Sequence, residues 1–178
     1  MTFLVLLVLA IPGPSLDLAE GMTAAMCSKA AMGLKDMRWD RNGSRPEYVK
    51  SRLDRCSKLL LLAHDEGFGR SGLARVLAIA YAETNFREGA VGSVGERGML
   101  QVRPEKHCHL AREPAGTCHY EMAGLRYLKS LVQGERVRVL KHGGKFKWTR
   151  VLRRYNGSMA YATKVERYAL TVLRKWAL

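Results

Sequence analysis

Acidic residues are scarce in this sequence. Its 178 residues include 16 Asp and Glu against 30 Lys and Arg, which gives a formal net charge of +14 at pH 7. A surface this basic favours a polyanionic partner, because Lys and Arg displace the counterions that such a partner holds. Nucleic acid, an anionic membrane face and the acidic polymers of a bacterial envelope all meet this requirement, and charge alone does not choose among them.

The N-terminus lacks an apolar run long enough to cross a membrane. The run over residues 3–11 has nine residues, whereas a transmembrane helix needs about 20 and a signal-peptide core about 7 to 15. We therefore predict that residues 1–15 are a signal peptide cleaved after Ser15, and that the protein is exported to the periplasm or cell envelope. No Lys or Arg precedes the run, so a buried or interfacial N-terminal helix and a retained membrane tether stay open as alternatives.

The sequence has no Cys-x-x-Cys pair, although it contains four cysteines, Cys27, Cys56, Cys108 and Cys118. An even set without that motif suits an oxidising compartment and argues against a redox site or a zinc ribbon. Three pairings are possible. We favour Cys108 with Cys118, which closes a short loop, and Cys27 with Cys56, which fastens the N-terminal segment to the body. Three histidines, His107, His109 and His119, flank two of the cysteines, but their spacing matches no zinc motif, so we expect no metal and no cofactor.

No internal repeat or low-complexity tract is present, and the length fits one domain with a short extension. We expect an N-terminal helical extension over residues 16–54 and a compact, mainly α-helical domain over 55–178. Residues 135–147 fit either a small β-hairpin or a loop between helices. Apolar spacing and Gly, Pro and Ser boundaries predict helices over about 46–66, 72–85, 120–132, 148–154 and 161–176.

One glutamate lies at the end of the most apolar of these helices. The helix from Gly72 to about Asn85 is apolar on nearly every face, which predicts that it is the central buried helix. Glu83 falls in its last turn, where the helix dipole and partial burial both disfavour the charged carboxylate and raise its pKa. A carboxyl group that keeps its proton can act as a general acid. The alternative is an ordinary surface glutamate at a frayed helix end.

Glu83 lies in the first of three separated segments of the sequence that together form a pattern. Residues 82–86 are Ala-Glu-Thr-Asn-Phe, residues 95–101 are Gly-Glu-Arg-Gly-Met-Leu-Gln, and residues 154–157 are Arg-Tyr-Asn-Gly. In order and spacing they resemble the Glu-Ser-x-Phe, Gly-x-x-Gly-Leu-Met-Gln and Ala-Tyr-Asn segments of the soluble lytic transglycosylases, a goose-type branch of the lysozyme superfamily. Residues 123–128 are similar to the family's small-Gly-x-x-Tyr-Leu helix. The resemblance covers about residues 55–175.

The resemblance implies a lysozyme-like fold, mainly α with a small β contribution, in which residues 55–178 form the catalytic domain. It implies that Glu83 cleaves the β-1,4 bond between N-acetylmuramic acid and N-acetylglucosamine of peptidoglycan. Glu83 would first protonate the glycosidic oxygen and then accept the proton of the muramic C6 hydroxyl, which leaves a 1,6-anhydro end. Because the attacking hydroxyl belongs to the substrate, one carboxyl group suffices where most glycosidases need two.

The same resemblance implies which residues bind the substrate. Tyr155 is expected to hydrogen-bond the Glu83 carboxyl and orient it, and Gln101 and backbone groups near Met99 are expected to hold the sugar. Thr84 keeps the hydroxyl of the family's serine and, with Asn156, completes the expected set.

Glu96 leaves a second chemistry open. It lies on the same glycine-rich segment, where it could activate a water and give a hydrolytic muramidase of the goose-lysozyme type. The simpler interpretation is a solvated loop glutamate paired with Arg97. An interpretation of another class is a non-enzymatic basic protein that binds nucleic acid or envelope polymers.

The partners follow from these interpretations. The resemblance implies peptidoglycan glycan strands as the ligand, no nucleic acid, and a monomer. The small size and the lack of a wall-binding repeat favour a localised role, in a phage virion or in a secretion or conjugation apparatus.

Overall fold

The computed structural model describes residues 23–30 and 46–177, apart from 113, 115 and 116. The predicted signal peptide and its cleavage site at Ser15 lie outside these residues. The mainly α-helical class is confirmed, and the described residues contain no β-strand. In chain order the α-helices are α1 (23–30), α2 (Pro46–Asp65), α3 (Arg70–Thr84), α4 (Pro104–His107), α5 (Tyr120–His142), α6 (Trp148–Asn156) and α7 (Met159–Ala177), with a 3-10 turn (Cys108–Ala111) directly after α4.

The predicted central helix is α3. Its residues from Gly72 to Tyr81 are all buried, because nearly every face is made of Leu, Ala, Val and Ile. It packs chiefly against α7 and also against α2, while α6 packs against α7 and α5. Arg75 is the charged residue in this buried stretch, and its guanidinium donates to the carboxylate of Glu166 on α7 with an Nε to Oε2 distance of 3.1 Å.

The segment over residues 135–147 is helical up to His142 and forms a loop only from residue 143. Helix α5 does not end at Gly134 but continues to His142, so both the hairpin and the loop beginning at residue 135 are wrong. Gly134 is exposed and helical, and the chain leaves the helix only at Gly143, which has a φ of 73°. Glu135 is fully buried and bound by Arg138 and Arg150, each with an oxygen at 2.9 Å. These contacts hold the extra turns in place.

The segment between α3 and α4 is held by isolated bridges. Arg97 and Val102 exchange backbone hydrogen bonds of 2.9 and 3.0 Å, and Arg97 also forms a bridge with Val91. This folded segment lies directly on α5 at Gly124, where a Cβ atom would lie 2.9 Å from side-chain atoms of Leu100 and Val102. A glycine at this point therefore allows the segment and the helix to touch.

Both favoured disulfides, Cys27–Cys56 and Cys108–Cys118, are present in the structure. The first ties α1 to α2, and the indole N–H of Trp176 on α7 adds a 2.9 Å hydrogen bond to the carbonyl of Met26. The predicted boundary between residues 54 and 55 falls inside α2, which is one continuous helix. In the described ranges, no helix combines the length and the apolar character needed to cross a bilayer.

Candidate active site

Glu83 lies where α3 ends and the chain turns sharply. Asn85 caps the helix in the left-handed region, with φ 52° and ψ 45°, and its N–H is directed to the carbonyls of Ala80 and Tyr81. Phe86 follows with a φ of 62°, and its side chain is buried. This turn leaves the Glu83 carboxyl half-buried at the rim of the core and facing a groove.

The surroundings of Glu83 favour its neutral form. Burial raises the pKa of its carboxyl, and the negative charge of Glu96 raises it further. Polar contacts with the side chains of Tyr161 and Asn156, together with the positive charge of Lys164, oppose this effect. The net pKa is above the ordinary value, in the direction expected from the end of a buried helix.

Glu83 opens into a groove of about 410 Å³. Five of the residues singled out from the sequence meet there, although they come from three separate parts of the chain: Glu83, Glu96, Gln101, Tyr155 and Asn156. The basic side chains of Arg103 and Lys106 line the same groove. Its remaining lining residues are Gly92, Ser93, Val102, His107 and Tyr127.

Glu96 and Gln101 pack side by side over Gly92. A Cβ atom at position 92 would lie 2.3 Å from a carboxylate oxygen of Glu96 and 2.7 Å from the amide oxygen of Gln101. Glu96 accepts a 3.2 Å hydrogen bond from the Val94 N–H, and Arg103 approaches it to 3.9 Å. The expected ion pair with Arg97 is thus replaced by one with Arg103. Gln101 uses its amide nitrogen to hold the loop, donating to the Gly98 carbonyl at 2.9 Å.

Tyr155 is positioned differently from the prediction. Its hydroxyl donates to the carbonyl of Leu100 at 2.7 Å, so its single proton is not available to Glu83. Burial raises the pKa of Tyr155 well above its ordinary value, which keeps that proton in place. The predicted hydrogen bond from Tyr155 to Glu83 is therefore wrong, and Tyr155 instead fastens α6 to the glycine-rich segment beside the groove.

Tyr161 was missed by the sequence analysis. Its hydroxyl is buried and completes no hydrogen bond of ordinary distance and angle, yet it lies near enough to lower the pKa of Glu83. Burial and the Glu83 charge both raise the pKa of Tyr161 itself, so it stays protonated. The sequence signal that could have identified Tyr161 is the short Gly157-Ser158 connection between α6 and α7. A connection this short keeps the first turn of α7 close to Asn156 at the end of α6.

Thr84 and Met99 do not reach the groove, which corrects their predicted role in substrate binding. The Thr84 hydroxyl is buried and is shared between the carbonyls of Ala80 and Met99, at 3.2 and 3.1 Å. The Met99 N–H is occupied as well, because it donates to Glu121 at 3.2 Å. Both residues join the end of α3 to the glycine-rich segment and leave no free group for a ligand.

An aromatic wall closes one side of the groove. The imidazole of His107 stacks on Tyr127 at a centroid distance of 4.1 Å, and Tyr127 contacts Tyr155 at 5.4 Å. Burial lowers the pKa of His107, and its Nδ1 accepts a 3.1 Å hydrogen bond from the Arg103 N–H, so the ring is neutral near pH 7. In the sequence His107 had been weighed only as a metal ligand.

In the part of the chain that the structure describes, no group of three or more His, Cys, Asp or Glu side chains is arranged to hold a metal ion. Comparison with protein-family models, with curated proteins and with solved structures finds no match to this chain. The chemistry of the groove therefore has to be argued from its own residues. A half-buried carboxyl group with a raised pKa is suited to donate a proton to an oxygen atom of a ligand that lies against the polar and aromatic walls.

Proposed function

We propose that this protein is a peptidoglycan lytic transglycosylase that cleaves the β-1,4 bond between N-acetylmuramic acid and N-acetylglucosamine. The observation that carries the proposal is the position of Glu83, which is half-buried, has a raised pKa and faces a groove that also contains Gln101, Tyr155 and Asn156. The resemblance of residues 82–86, 95–101 and 154–157 to the soluble lytic transglycosylases supports it. A lysozyme-like fold belongs to the same proposal.

In the proposed reaction Glu83 acts twice. Its proton goes to the glycosidic oxygen, the bond to the muramic C1 breaks, and an oxocarbenium-like state forms. The Glu83 carboxylate then accepts the proton of the muramic C6 hydroxyl while that oxygen bonds to C1. All atoms stay in the two products, one of which carries a 1,6-anhydro ring, and no water is consumed.

The walls of the groove supply the binding that this reaction needs. The stacked rings of His107, Tyr127 and Tyr155 offer an apolar face to a sugar ring, and the amide groups of Gln101 and Asn156 offer polar contacts to its acetamide and hydroxyl groups. Glycan strands of peptidoglycan carry acidic peptides, and Arg103 and Lys106 give the groove a complementary charge. We place the protein in the cell envelope, as a monomer that serves a phage virion or a secretion or conjugation apparatus.

The decisive test compares wild type with Glu83→Gln on purified sacculi. A general acid contributes about 10²- to 10⁴-fold to a rate, so we expect Glu83→Gln to lower the rate of sacculus lysis by at least that factor. Glu88→Gln is the matched control, because it makes the same change at an exposed glutamate five positions away. Lysis by Glu83→Gln at the wild-type rate would refute the proposal and favour a non-enzymatic basic protein.

A hydrolytic muramidase is the second candidate, and Glu96 favours it. Its carboxylate lines the same groove as Glu83 and its charge raises the pKa of Glu83, as a second carboxylate near the first would do. Mass spectrometry of the released muropeptides separates the two reactions by one water. Anhydro-muramic ends that persist in Glu96→Gln support the transglycosylase, whereas reducing ends that disappear in Glu96→Gln support the hydrolase.

A further inference from the structure

The last turns of α5 carry the most exposed large apolar side chain among the described residues. Leu140 is 84% exposed and Val137 is 48% exposed, although the same helix buries its other face as far as Glu135. Residues 136–147, which we call the basic apex, contain the end of α5 and the loop that leads to α6. Single exposed apolar residues are common on protein surfaces. Leu140 and Val137 therefore indicate a binding surface only if the residues around them do so as well.

The exposed apolar pair is flanked by cations on both sides. At 100° per residue, Arg136, Leu140, Val137 and Lys141 follow one another around the helix at about 40 to 60° intervals. The centre of this strip lies about 140° around the helix from the centre of the buried face formed by Leu128, Val132 and Glu135, and Arg136 lies at the border between the two. The apex thus presents an apolar strip with a positive charge along each edge, the pattern of a helix that lies in a membrane interface.

The loop adds positive charge without compensating acids. Residues 136–154 contain eight Lys and Arg and no Asp or Glu. The nearby acid is Glu135, and its buried carboxylate is taken by Arg138 and Arg150. Within the described ranges, the basic side chains of the apex other than Arg138 have no carboxylate within 4.0 Å; they are Arg136, Lys141, Lys145 and Lys147.

The apex is held in shape before any partner arrives. Arg138 donates to both oxygens of Glu135 at 2.9 Å and to the Lys145 carbonyl at 3.4 Å, so an ion pair within the last turns of the helix also holds the loop. Arg150 reaches the same carboxylate from α6. A preorganised surface loses less conformational entropy on binding than a mobile one.

We infer that the basic apex is a docking surface for the anionic phospholipid face of a membrane. A polyanion such as nucleic acid or a wall polymer would use the charges alone and would leave Leu140 and Val137 in water. A bilayer interface accepts both, since its headgroups attract Lys and Arg while its acyl boundary takes up the apolar strip.

Tyr127 of the groove and Lys141 of the apex are 14 residues apart on α5, about 20 Å along the axis. The apex is therefore separated from the groove along the helix, so contact with a membrane there need not cover the groove.

The test measures co-sedimentation of the full chain with phosphatidylcholine vesicles that contain or lack phosphatidylglycerol. Wild type should bind the anionic vesicles and bind less at high salt. Leu140→Asp should weaken binding about tenfold, because an apolar anchor is lost and a negative charge is added. Arg136→Gln with Lys141→Gln should weaken it about fivefold per charge.

The matched controls are Val94→Asp, an equally drastic change at another exposed apolar residue, and Lys50→Gln with Lys58→Gln, which removes two exposed charges from α2.

Each result of this experiment either supports or overturns the inference. Selective loss in the two apex variants, with both controls binding like wild type, supports the membrane surface. Equal loss of binding in the Lys50 and Lys58 control would mean that vesicles bind through net charge alone. Unchanged binding by Leu140→Asp would mean that another part of the chain binds the vesicles. Either result overturns the inference. Binding to soluble polyanions that depends on Lys141 but not on Leu140, without vesicle binding, overturns it in favour of a polymer partner. Sacculus lysis by the apex variants is measured separately, so failure here leaves the proposed activity untouched.

Discussion

At the residue scale, the Glu83 carboxyl is acted on by two neighbours of opposite effect. The charge of Glu96 raises its pKa, and the contact with Tyr161 lowers it. Activity that requires protonated Glu83 must decline as the pH rises through this pKa. Two single substitutions should therefore move that decline in opposite directions.

We predict that Glu96→Gln shifts the high-pH decline of lytic activity to lower pH and that Tyr161→Phe shifts it to higher pH. The first removes a cause that raises the pKa of Glu83, and the second removes a cause that lowers it. The measurement is the rate of sacculus lysis across the pH range. Shifts of the same sign in both variants would show that Glu83 does not set the decline.

Glu83 also predicts a stability effect that needs no substrate. Its pKa is raised in the folded protein, so the unfolded chain loses the proton more readily and the folded state loses stability as the pH rises above the ordinary value of 4.5. Glu83→Gln should accordingly raise the melting temperature at pH 7, and this advantage should vanish below pH 4.5. Glu88→Gln, at an exposed position, should do neither. A lower melting temperature for Glu83→Gln at pH 7 would contradict the assignment.

The site residues predicted from the sequence differ in how local their sequence signal is. Glu83 was found because the spacing of its own helix shows where that helix ends. Tyr155 was predicted as a site residue and it lines the groove, but its predicted hydrogen-bond partner was wrong. Its hydroxyl donates to the Leu100 carbonyl, a backbone atom 55 positions away that no local pattern relates to Tyr155. Thr84 carries a hydroxyl in the expected place, yet its burial against Met99 depends on packing that no local pattern encodes.

At the scale of the element, α5 shows why helix ends are harder to predict than helix cores. Its first half follows from apolar spacing, but its second half is held by buried Glu135 and the distant Arg150. Gly134 suggested a stop and is instead an ordinary helical position at the surface. The glycines of this helix differ in function, and the difference is measurable.

We predict opposite effects on stability for alanine at the two α5 glycines. At Gly124 the new Cβ would lie 2.9 Å from Leu100 and Val102, so Gly124→Ala should lower the free energy of unfolding by about 1 to 3 kcal/mol. At Gly134 the nearest atom is a guanidinium nitrogen of Arg154 at 3.7 Å, so Gly134→Ala should raise it by about 0.5 to 1 kcal/mol through helix propensity. Urea denaturation measures both. Equal effects at the two sites would show that the contact with the glycine-rich segment is unimportant.

At the scale of the whole molecule, the sequence predicted a single helical body with two disulfides, and both pairings are present. The order of the helices followed from local periodicity, since each helix carries its own apolar spacing. The meeting of residues 83, 96, 101, 155 and 156 in one groove did not follow from periodicity, because it is set by how α3 and α6 each pack against α7 and by how the glycine-rich segment lies on α5. Only the resemblance to a known family suggested it.

The two disulfides should contribute unequally to stability. They close loops with sequence separations of 29 and 10 residues, for which the chain-entropy model gives about 3.6 and 2.7 kcal/mol. We predict that Cys27→Ala with Cys56→Ala lowers the free energy of unfolding more than Cys108→Ala with Cys118→Ala. The second pair should instead reduce lysis more, because Cys108 directly follows the groove residue His107. Urea denaturation and sacculus lysis of both double variants check this, and a reversed order in either measurement would contradict it.

The hydroxyl of Thr84 has a consequence for how the molecule opens. By bonding to the carbonyls of Ala80 and Met99 together, it couples the last turn of the central helix to the glycine-rich segment, whose neighbouring residues line the groove. Movement of either one away from the other breaks these hydrogen bonds, so we expect fluctuations of the glycine-rich segment to be coupled to the end of the helix that carries Glu83. Amides on both sides of this junction should therefore exchange with solvent as one cooperative unit.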